Sequence, residues 1–163
     1  MLPQALTEPA AQVAERLTTL GQTVAVAESS AGGLVSAALL AVPGASAYYR
    51  GGVVIYTLDG AKAILGGATG LDPGERGACE PFARWLAVST AARHGADWGV
   101  GETGATGPKG NRYGDPAGHA WLAVAGPDGR LTAENVLTGD GDRAGNMEAF
   151  AARALRLLAA ALG

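Results

Sequence analysis

QTVAVAESSAGGLVSAALLAV, residues 22–42, passes from an apolar run to a polar turn and then to an amphipathic segment. QTVAVAE, residues 22–28, reads as a short buried strand, and GLVSAALLAV, residues 33–42, reads as a helix. At their junction stand Glu28, Ser29, Ser30, Gly32 and Gly33. A turn needs one glycine and a helix start needs one hydroxyl, so the junction carries more polar chemistry than its architecture requires. In open α/β sheets, ligands sit beyond the carboxyl ends of the strands, where such a junction falls. A strand, a Ser-Ser-Ala-Gly-Gly turn and a helix would offer backbone N–H groups and a positive dipole end to a phosphate or an oxyanion. Ser29 or Ser30 would serve as a nucleophile if a base lay nearby. The plainer alternative makes Ser30 an N-cap, with the glycines easing the turn. The stretch is neither the six-residue dinucleotide fingerprint nor a Walker loop.

Outward from this unit, helix-like and strand-like segments alternate. TEPAAQVAERLTTLG (7–21) predicts a helix with Thr7 as cap, Pro9 in its first turn and Gly21 at its exit. GGVVIYT (51–57) predicts the second strand, and DGAKAILG (59–66) a short helix after it. EPFARWLAVSTAARHG (80–95) predicts a helix that buries Phe82, Trp85, Leu86 and Ser89 and ends at Gly95. DWGVGE (97–102) is a third strand. HAWLAVAGPDGRLTAENVLT (119–138) is a hairpin about Pro127-Asp128-Gly129, and a last helix runs from Asn146 to Leu162 with Phe150, Ala154 and Leu157 or Leu158 inward. The order predicts one domain over residues 1–163, a three-layer α/β/α fold whose mixed, mostly parallel sheet contains one antiparallel strand.

Composition limits the function. The chain has 163 residues, a formal net charge of −3 and no basic stripe, which argues against nucleic acid and anionic membranes as partners. Its 26 glycines, roughly double the usual share, gather at junctions without a period. Cys79 is the only cysteine, so no intrachain disulfide forms; a reducing compartment fits, and a small helix-start role suits it better than nucleophilic chemistry. No apolar run reaches a membrane span and the N-terminus lacks the order of a signal peptide, so a cytoplasmic location is expected. The histidines are far apart and no metal-ligand spacing occurs, so no metal is expected.

Two further polar segments follow strands. In GVVIYTLDGAK (52–62), Tyr56 and Thr57 end a strand, and Asp59 and Lys62 follow on the next turn. A lysine beside a serine acts as a general base when burial lowers its pKa; a solvated helix-start lysine is the structural alternative. GETGATGPKGNRYGDPAGHAW (101–121) carries Glu102, Thr103, Thr106, Lys109, Asn111, Arg112, Tyr113, Asp115 and His119 among six glycines. A loop of such length and polarity within a compact domain is usually functional. His119 either faces the site or begins a strand. His94, at a helix end, is explained by the helix dipole. A triad of Ser29, His119 and Asp115 is possible on paper, but the Gly-x-Ser-x-Gly elbow is absent.

Taken together these segments resemble the CinA C-terminal domain family, whose characterised members are nicotinamide-nucleotide amidohydrolases. The resemblance is carried by AESSAGGL (27–34), VPGASAYYRGGVVIYT (42–57), EPFA (80–83), TGATGP (103–108), GHAWLAV (118–124) and GDR (141–143), and covers the chain from Gln22 onward. It implies a single α/β/α domain that hydrolyses the carboxamide of nicotinamide mononucleotide to nicotinate mononucleotide and ammonia, with no cofactor. Ser29 falls on the family's serine after Glu28, Gly32 and Gly33 on its glycine pair, and Tyr56 on its strand-end tyrosine. Thr103, Gly104, Gly107 and Pro108 fall on the second glycine loop, and Arg143 on the arginine of Gly-Asp-Arg.

The sequence also departs from the family. Ser30 and Ala31 replace the usual Cys-Thr pair, the family's lysine falls on Ala61 with Lys62 one residue on, Thr106 stands where alanine is usual, and residues 109–119 replace a shorter Asp-Gly-Gly loop. On a helix one residue turns a side chain by about 100°, so Lys62 serves only if the local backbone shifts.

The expected catalytic set is therefore Ser29, with Ser30 as the local alternative, Tyr56, Lys62 and Thr103. Glu28, Gly32, Gly33, Gly104, Thr106, Gly107, Asn111, Arg112 and Arg143 are expected to bind substrate. Within these sets, Lys62 is the candidate base and Tyr56 a proton relay. N–H groups near Gly32 or Gly104 are the oxyanion donors, and Arg143 or Arg112 hold the phosphate. A module that binds a pyridine nucleotide or another phosphorylated ligand without turnover, or an amidohydrolase of another substrate, is the alternative. The resemblance further implies a homodimer or larger homo-oligomer. It also implies a separate nucleotide-processing protein as a partner if the chain does not work alone.

Overall fold

The computed structural model describes all residues, Met1–Gly163. Five strands form one sheet in the order β2-β1-β3-β4-β5: β1 Val24–Glu28, β2 Tyr49–Val54, β3 Trp98–Ala105, β4 His119–Ala125 and β5 Leu131–Leu137. β1 pairs in parallel with β2 and β3, while β4 is antiparallel to both of its neighbours, β3 and β5. Four strands thus run one way and one against them, as the alternating pattern with its single hairpin requires.

Helices cover both faces. α1 (Gln4–Leu20), α2 (Leu34–Leu40) and α5 (Arg143–Leu162) pack on one side, around Leu6, Val13, Leu17, Val24, Val26, Phe150, Leu155 and Leu158. α3 (Leu58–Leu65) and α4 (Glu80–His94) cover the other, where Ile55, Phe82, Trp85 and Leu86 form a smaller cluster. The chain leaves β1 by α2 on one face to reach β2, then returns by α3 and α4 on the other face to β3. The connection reverses at the carboxyl ends of β1 and β3, and that crevice is where such sheets hold ligands.

Small residues set how closely the layers approach. A Cβ at Gly99 or Gly101 of β3 would press on the carbonyl of Ala87 or Ala83, so α4 lies directly on the backbone of the strand that carries Glu102 and Thr103.

Four local expectations are corrected. α1 begins at Gln4, with Pro3 in the capping position, and Thr7 caps nothing. Burial of Leu6, with Leu2 against the same core, draws the helix a turn further back and carries Pro9 into its interior. β2 ends at Val54, so Ile55 to Thr57 lie beyond it, and Thr57 caps α3 by accepting from the Gly60 N–H at 3.0 Å. Residues 101–105 belong to β3 and 119–121 to β4, which shortens the connecting loop to residues 106–118. α5 starts at Arg143, where the Asp142 side chain accepts from Gly145 N–H. No helix is long and apolar enough to cross a membrane.

Gly101→Ala tests the close approach of α4. Overpacking of this kind costs about 3 kcal/mol, which for a domain of this size lowers the melting temperature by roughly 6–12 °C. A melting temperature within a degree of wild type contradicts the packing described.

Candidate functional site

The turn after β1 is held by carboxylates of the protein itself. Glu28, the last residue of β1, is 1% exposed and accepts from the backbone N–H groups of Val35 (3.1 Å) and Ser36 (2.9 Å) and from the Ser36 hydroxyl (2.7 Å). It fills the start of α2. Glu102, its register partner on β3, is fully buried; its Oε2 accepts from the N–H of Ser29 (2.9 Å) and of Ala31 (2.8 Å), and its Oε1 from the Ser30 hydroxyl. Gly32 N–H donates to the Ser29 carbonyl at 3.2 Å.

The expectation of an anion cradle at this turn is therefore narrowed. Its donors at Ser29, Ala31, Gly32, Val35 and Ser36 are already engaged, those of Ser30 and Gly33 have no acceptor, and Glu28 is a structural carboxylate turned into the fold, away from the cavities. Ser30 is no N-cap either; Gly33 takes that position, at φ +100° and with no side-chain cap bond. Gly32, at φ +67°, has Met147 Cε at 2.6 Å from where a Cβ would stand.

Two adjoining cavities open at the carboxyl ends of β1 and β3. The larger, about 520 Å³, is lined by Ser29, Tyr56, Asp59, Thr103, Asn111 and Arg112 with other residues of α3, α4 and the 106–118 loop. The smaller, about 230 Å³, is lined by Ser30, Thr106, Gly107, Lys109 and Arg143. Tyr56, Gly104 and Asn111 line both and join them. A separate, mostly apolar hollow of about 330 Å³ lies beside Trp98 and Leu157, at the other end of the sheet from these polar segments.

Tyr56 stands on the rim, 71% exposed, and its hydroxyl accepts from Arg143 at 3.0 Å; a second Arg143 nitrogen donates to the Gly107 carbonyl at 2.8 Å. Thr103 is buried, and its hydroxyl accepts from the N–H of Ala78 at 3.0 Å. Ala78 holds φ +51°, a conformation alanine rarely adopts, at the cavity wall. The Thr106 carbonyl accepts from Asn146 at 2.8 Å. A Cβ at Gly104 would lie 2.9 Å from Ser30 Oγ and 2.5 Å from the His119 carbonyl, so only glycine leaves this wall clear.

The 106–118 loop roofs the larger cavity. Asp115 pairs with Arg76 (2.5 Å) and accepts from the Asn111 amide (2.8 Å), while Arg76 and Arg112 lie over the Tyr113 ring at 4.7 and 5.0 Å. Burial pushes the Asp115 carboxyl up, but the Asn111 amide, His119 and Arg76 outweigh it and hold the group below its usual range.

Lys62 does not join this constellation. It is exposed on α3, lines neither cavity and makes no side-chain hydrogen bond, while Ala61 beside it is fully buried among Ile55, Phe82 and Leu86. The helical step of about 100° carries the lysine outward, and no backbone shift brings it back. The Ser29–His119–Asp115 triad is not assembled either: His119 Nδ1 is buried without a hydrogen-bond partner, 3.9 Å from Asp115, and the ring lines neither cavity. Cys79 is the residue before α4, with its thiol 3.4 Å from the Arg76 carbonyl. No cluster of three His, Cys, Asp or Glu side chains has the geometry of a metal site.

Sequence reasoning counted Glu102 among the polar residues of its segment but gave it no role. Its signal was a carboxylate on a strand whose neighbours are otherwise small or apolar. Asp59, Lys109 and Tyr113 likewise line the cavities without having been assigned to them.

This is an open α/β domain with a polar crevice at its topological switch point, and comparison gives it a family. The chain belongs to the CinA C-terminal domain family, whose model matches residues 6–162. A CinA-like protein of Anaeromyxobacter dehalogenans (strain 2CP-1) is 43% identical over 150 residues, 92% of this chain and 36% of the relative. A CinA-like protein of Prochlorococcus marinus (strain MIT 9313) is 42% identical over 120 residues. The chain thus spans about a third of the length of the curated relatives it matches. Among solved structures, competence/damage inducible protein CihA from Agrobacterium tumefaciens superposes with a TM-score of 0.87 at 30% identity, over 99% of this chain and 98% of that one. A CinA superfamily protein from Klebsiella pneumoniae 700603 gives 0.85 at 25% identity, over 96% and 97%.

Burial pushes the Glu102 carboxyl up to about 7; the Glu28 charge adds to the rise, while the Ser30 hydroxyl and the N–H groups of Ala31 and Ser29 oppose it. The folded protein therefore holds a proton that the unfolded chain releases between pH 4.5 and about 7, and stability falls as pH rises through that window. The loss amounts to about 3 kcal/mol. Denaturant unfolding of wild type and Glu102→Gln at pH 4.5 and 7.5 should show this fall in wild type and its absence from the variant. Parallel pH dependence in the two proteins contradicts it.

Proposed function

We propose that this domain hydrolyses the carboxamide of nicotinamide mononucleotide, yielding nicotinate mononucleotide and ammonia. The observation that carries the reading is the convergence of Ser29, Ser30, Tyr56, Thr103 and Arg143 from four separate segments on two joined cavities. The family membership adds to it, since each of these residues except Ser30 falls on a position the resemblance marks as functional. Each cavity sets a serine among basic side chains, Ser29 with Arg112 in the larger and Ser30 with Lys109 and Arg143 in the smaller, so a hydroxyl for the amide and charge-assisted hydrogen bonds for a phosphate lie within one joined crevice. Arg143 also donates to the Tyr56 hydroxyl, which joins the aromatic rim to the cationic wall. The reaction needs water and a positioned nucleophile and calls on no redox group. A homodimer or larger assembly, and action beside a separate nucleotide-processing protein, belong to the same reading.

Ammonia release from nicotinamide mononucleotide by the intact chain, followed across pH 5–9, tests the activity directly. Turnover is expected. Its absence from folded protein overturns the reading, and a ligand-induced rise in melting temperature without turnover favours a binding module. Arg143→Ala should raise KM for the nucleotide roughly tenfold or more, the worth of one lost charge-assisted hydrogen bond to phosphate. An unchanged KM removes Arg143 from the phosphate site.

A further inference from the structure

We propose that Ser30 and Glu102 form the nucleophile–base pair of this site, a role that rests, for its amide substrate, on the reading above. Glu102 is the one ionisable group that touches a hydroxyl of the Ser29–Ala31 turn. Its two oxygens are differently employed. Oε2 is fixed by two backbone N–H groups, at 2.9 and 2.8 Å, and Oε1 meets only the Ser30 hydroxyl. A carboxylate held this way by the main chain presents its second oxygen in one orientation, as a general base must. Ser30 in turn lines the smaller cavity with Tyr56, Gly104 and Arg143, while its partner is sealed behind it. The missing side chain at Gly104 leaves the space beside Ser30 Oγ open. Ser29 also lines the crevice, but its hydroxyl has no hydrogen-bond partner, and Lys62 is turned to solvent.

The chemistry balances within the pair. Ser30 Oγ attacks the carboxamide carbon as its proton passes to Glu102 Oε1. Collapse of the tetrahedral adduct breaks the C–N bond, the proton moves from Glu102 to the departing nitrogen, and ammonia leaves an ester on Ser30. Water then attacks the ester carbon and gives a proton to Glu102. The C–O bond to Ser30 breaks, and the same proton restores the hydroxyl. One water is consumed; the carboxylic acid and ammonia are released. Glu28 on β1 is the one charged group that acts on the base, adding negative charge beside it, and Arg143 from α5 lines the cavity with Ser30.

A fluorophosphonate probe tests the pair without an amide substrate, because Ser30 Oγ would displace fluoride from phosphorus as its proton passes to Glu102. On the intact chain, peptide mass spectrometry should place one adduct on Ser30. The labelling rate should rise with pH to a plateau through a midpoint near 7, and should fall about a hundredfold or more in Glu102→Gln, the usual worth of a general base. A melting curve shows that this variant folds. If it does not, the wild-type adduct position, its pH profile and loss of the adduct in Ser30→Ala still decide the matter. An adduct on Ser29, no adduct, or labelling of folded Glu102→Gln at the wild-type rate overturns the proposal. Ammonia release with the adduct on Ser29 defeats the pair and leaves the amidohydrolase reading standing. A Ser30 adduct that depends on Glu102, without ammonia release, does the reverse.

Discussion

Two glutamates at one level of adjacent strands hold the chain that follows β1, and the site is arranged around them. Glu28 and Glu102 are register partners on β1 and β3, and both are buried with their carboxylate oxygens engaged. Burying a carboxylate is costly unless hydrogen bonds replace its water. Each therefore gathers the nearest donors: Glu28 takes the start of α2, and Glu102 takes the backbone and hydroxyl of the serine turn. The turn's shape follows from this demand. The Ser29 and Ala31 N–H groups point inward at Glu102, and the two serine side chains line the crevice.

That constraint separates the two serines. Ser29 gives its N–H to Glu102 and its side chain to the larger cavity, where the hydroxyl is unassisted. Ser30 gives its hydroxyl to the same carboxylate and lines the smaller cavity. Glycines complete the geometry. At Gly104 a side chain would press on Ser30, and at Gly101 it would lift α4 from the strand that positions Glu102. The packing of α4 and the orientation of the base are thus one problem, since β3 carries both. Across the crevice, Arg143 at the first turn of α5 ties the Tyr56 rim to the Gly107 carbonyl. A residue distant in sequence thereby closes the wall opposite the turn.

Much of this was legible in the residues. Alternating strand and helix patterns, with one Pro-Asp-Gly hairpin, define the layers and the single antiparallel strand, because each element must bury one face. The polar junctions after β1, β2 and β3 were recognisable as site material because they stand beyond the carboxyl ends of strands, where open sheets hold ligands. What escaped depends on contacts between segments far apart in the chain. Glu102 looked like one polar residue among many, since its role exists only once β1 and β3 are in register. Glu28 looked like a ligand contact because two of the three donors it satisfies, the N–H groups of Val35 and Ser36, are backbone atoms without a sequence signature. Lys62 was excluded by helical phase, which puts Ala61 into the core and turns the lysine out. Thr7 offered a local capping signal, and the burial of Leu6 overrode it.

The account depends most on a carboxyl group sealed beneath the Ser29–Ala31 turn. Carbon-13 NMR of protein labelled at the glutamate side-chain carboxyls follows that group directly. One glutamate resonance should titrate with a midpoint near 7 and vanish from the spectrum of Glu102→Gln. If every glutamate instead titrates near the ordinary 4.5, the buried clamp is absent and the arrangement described around it fails.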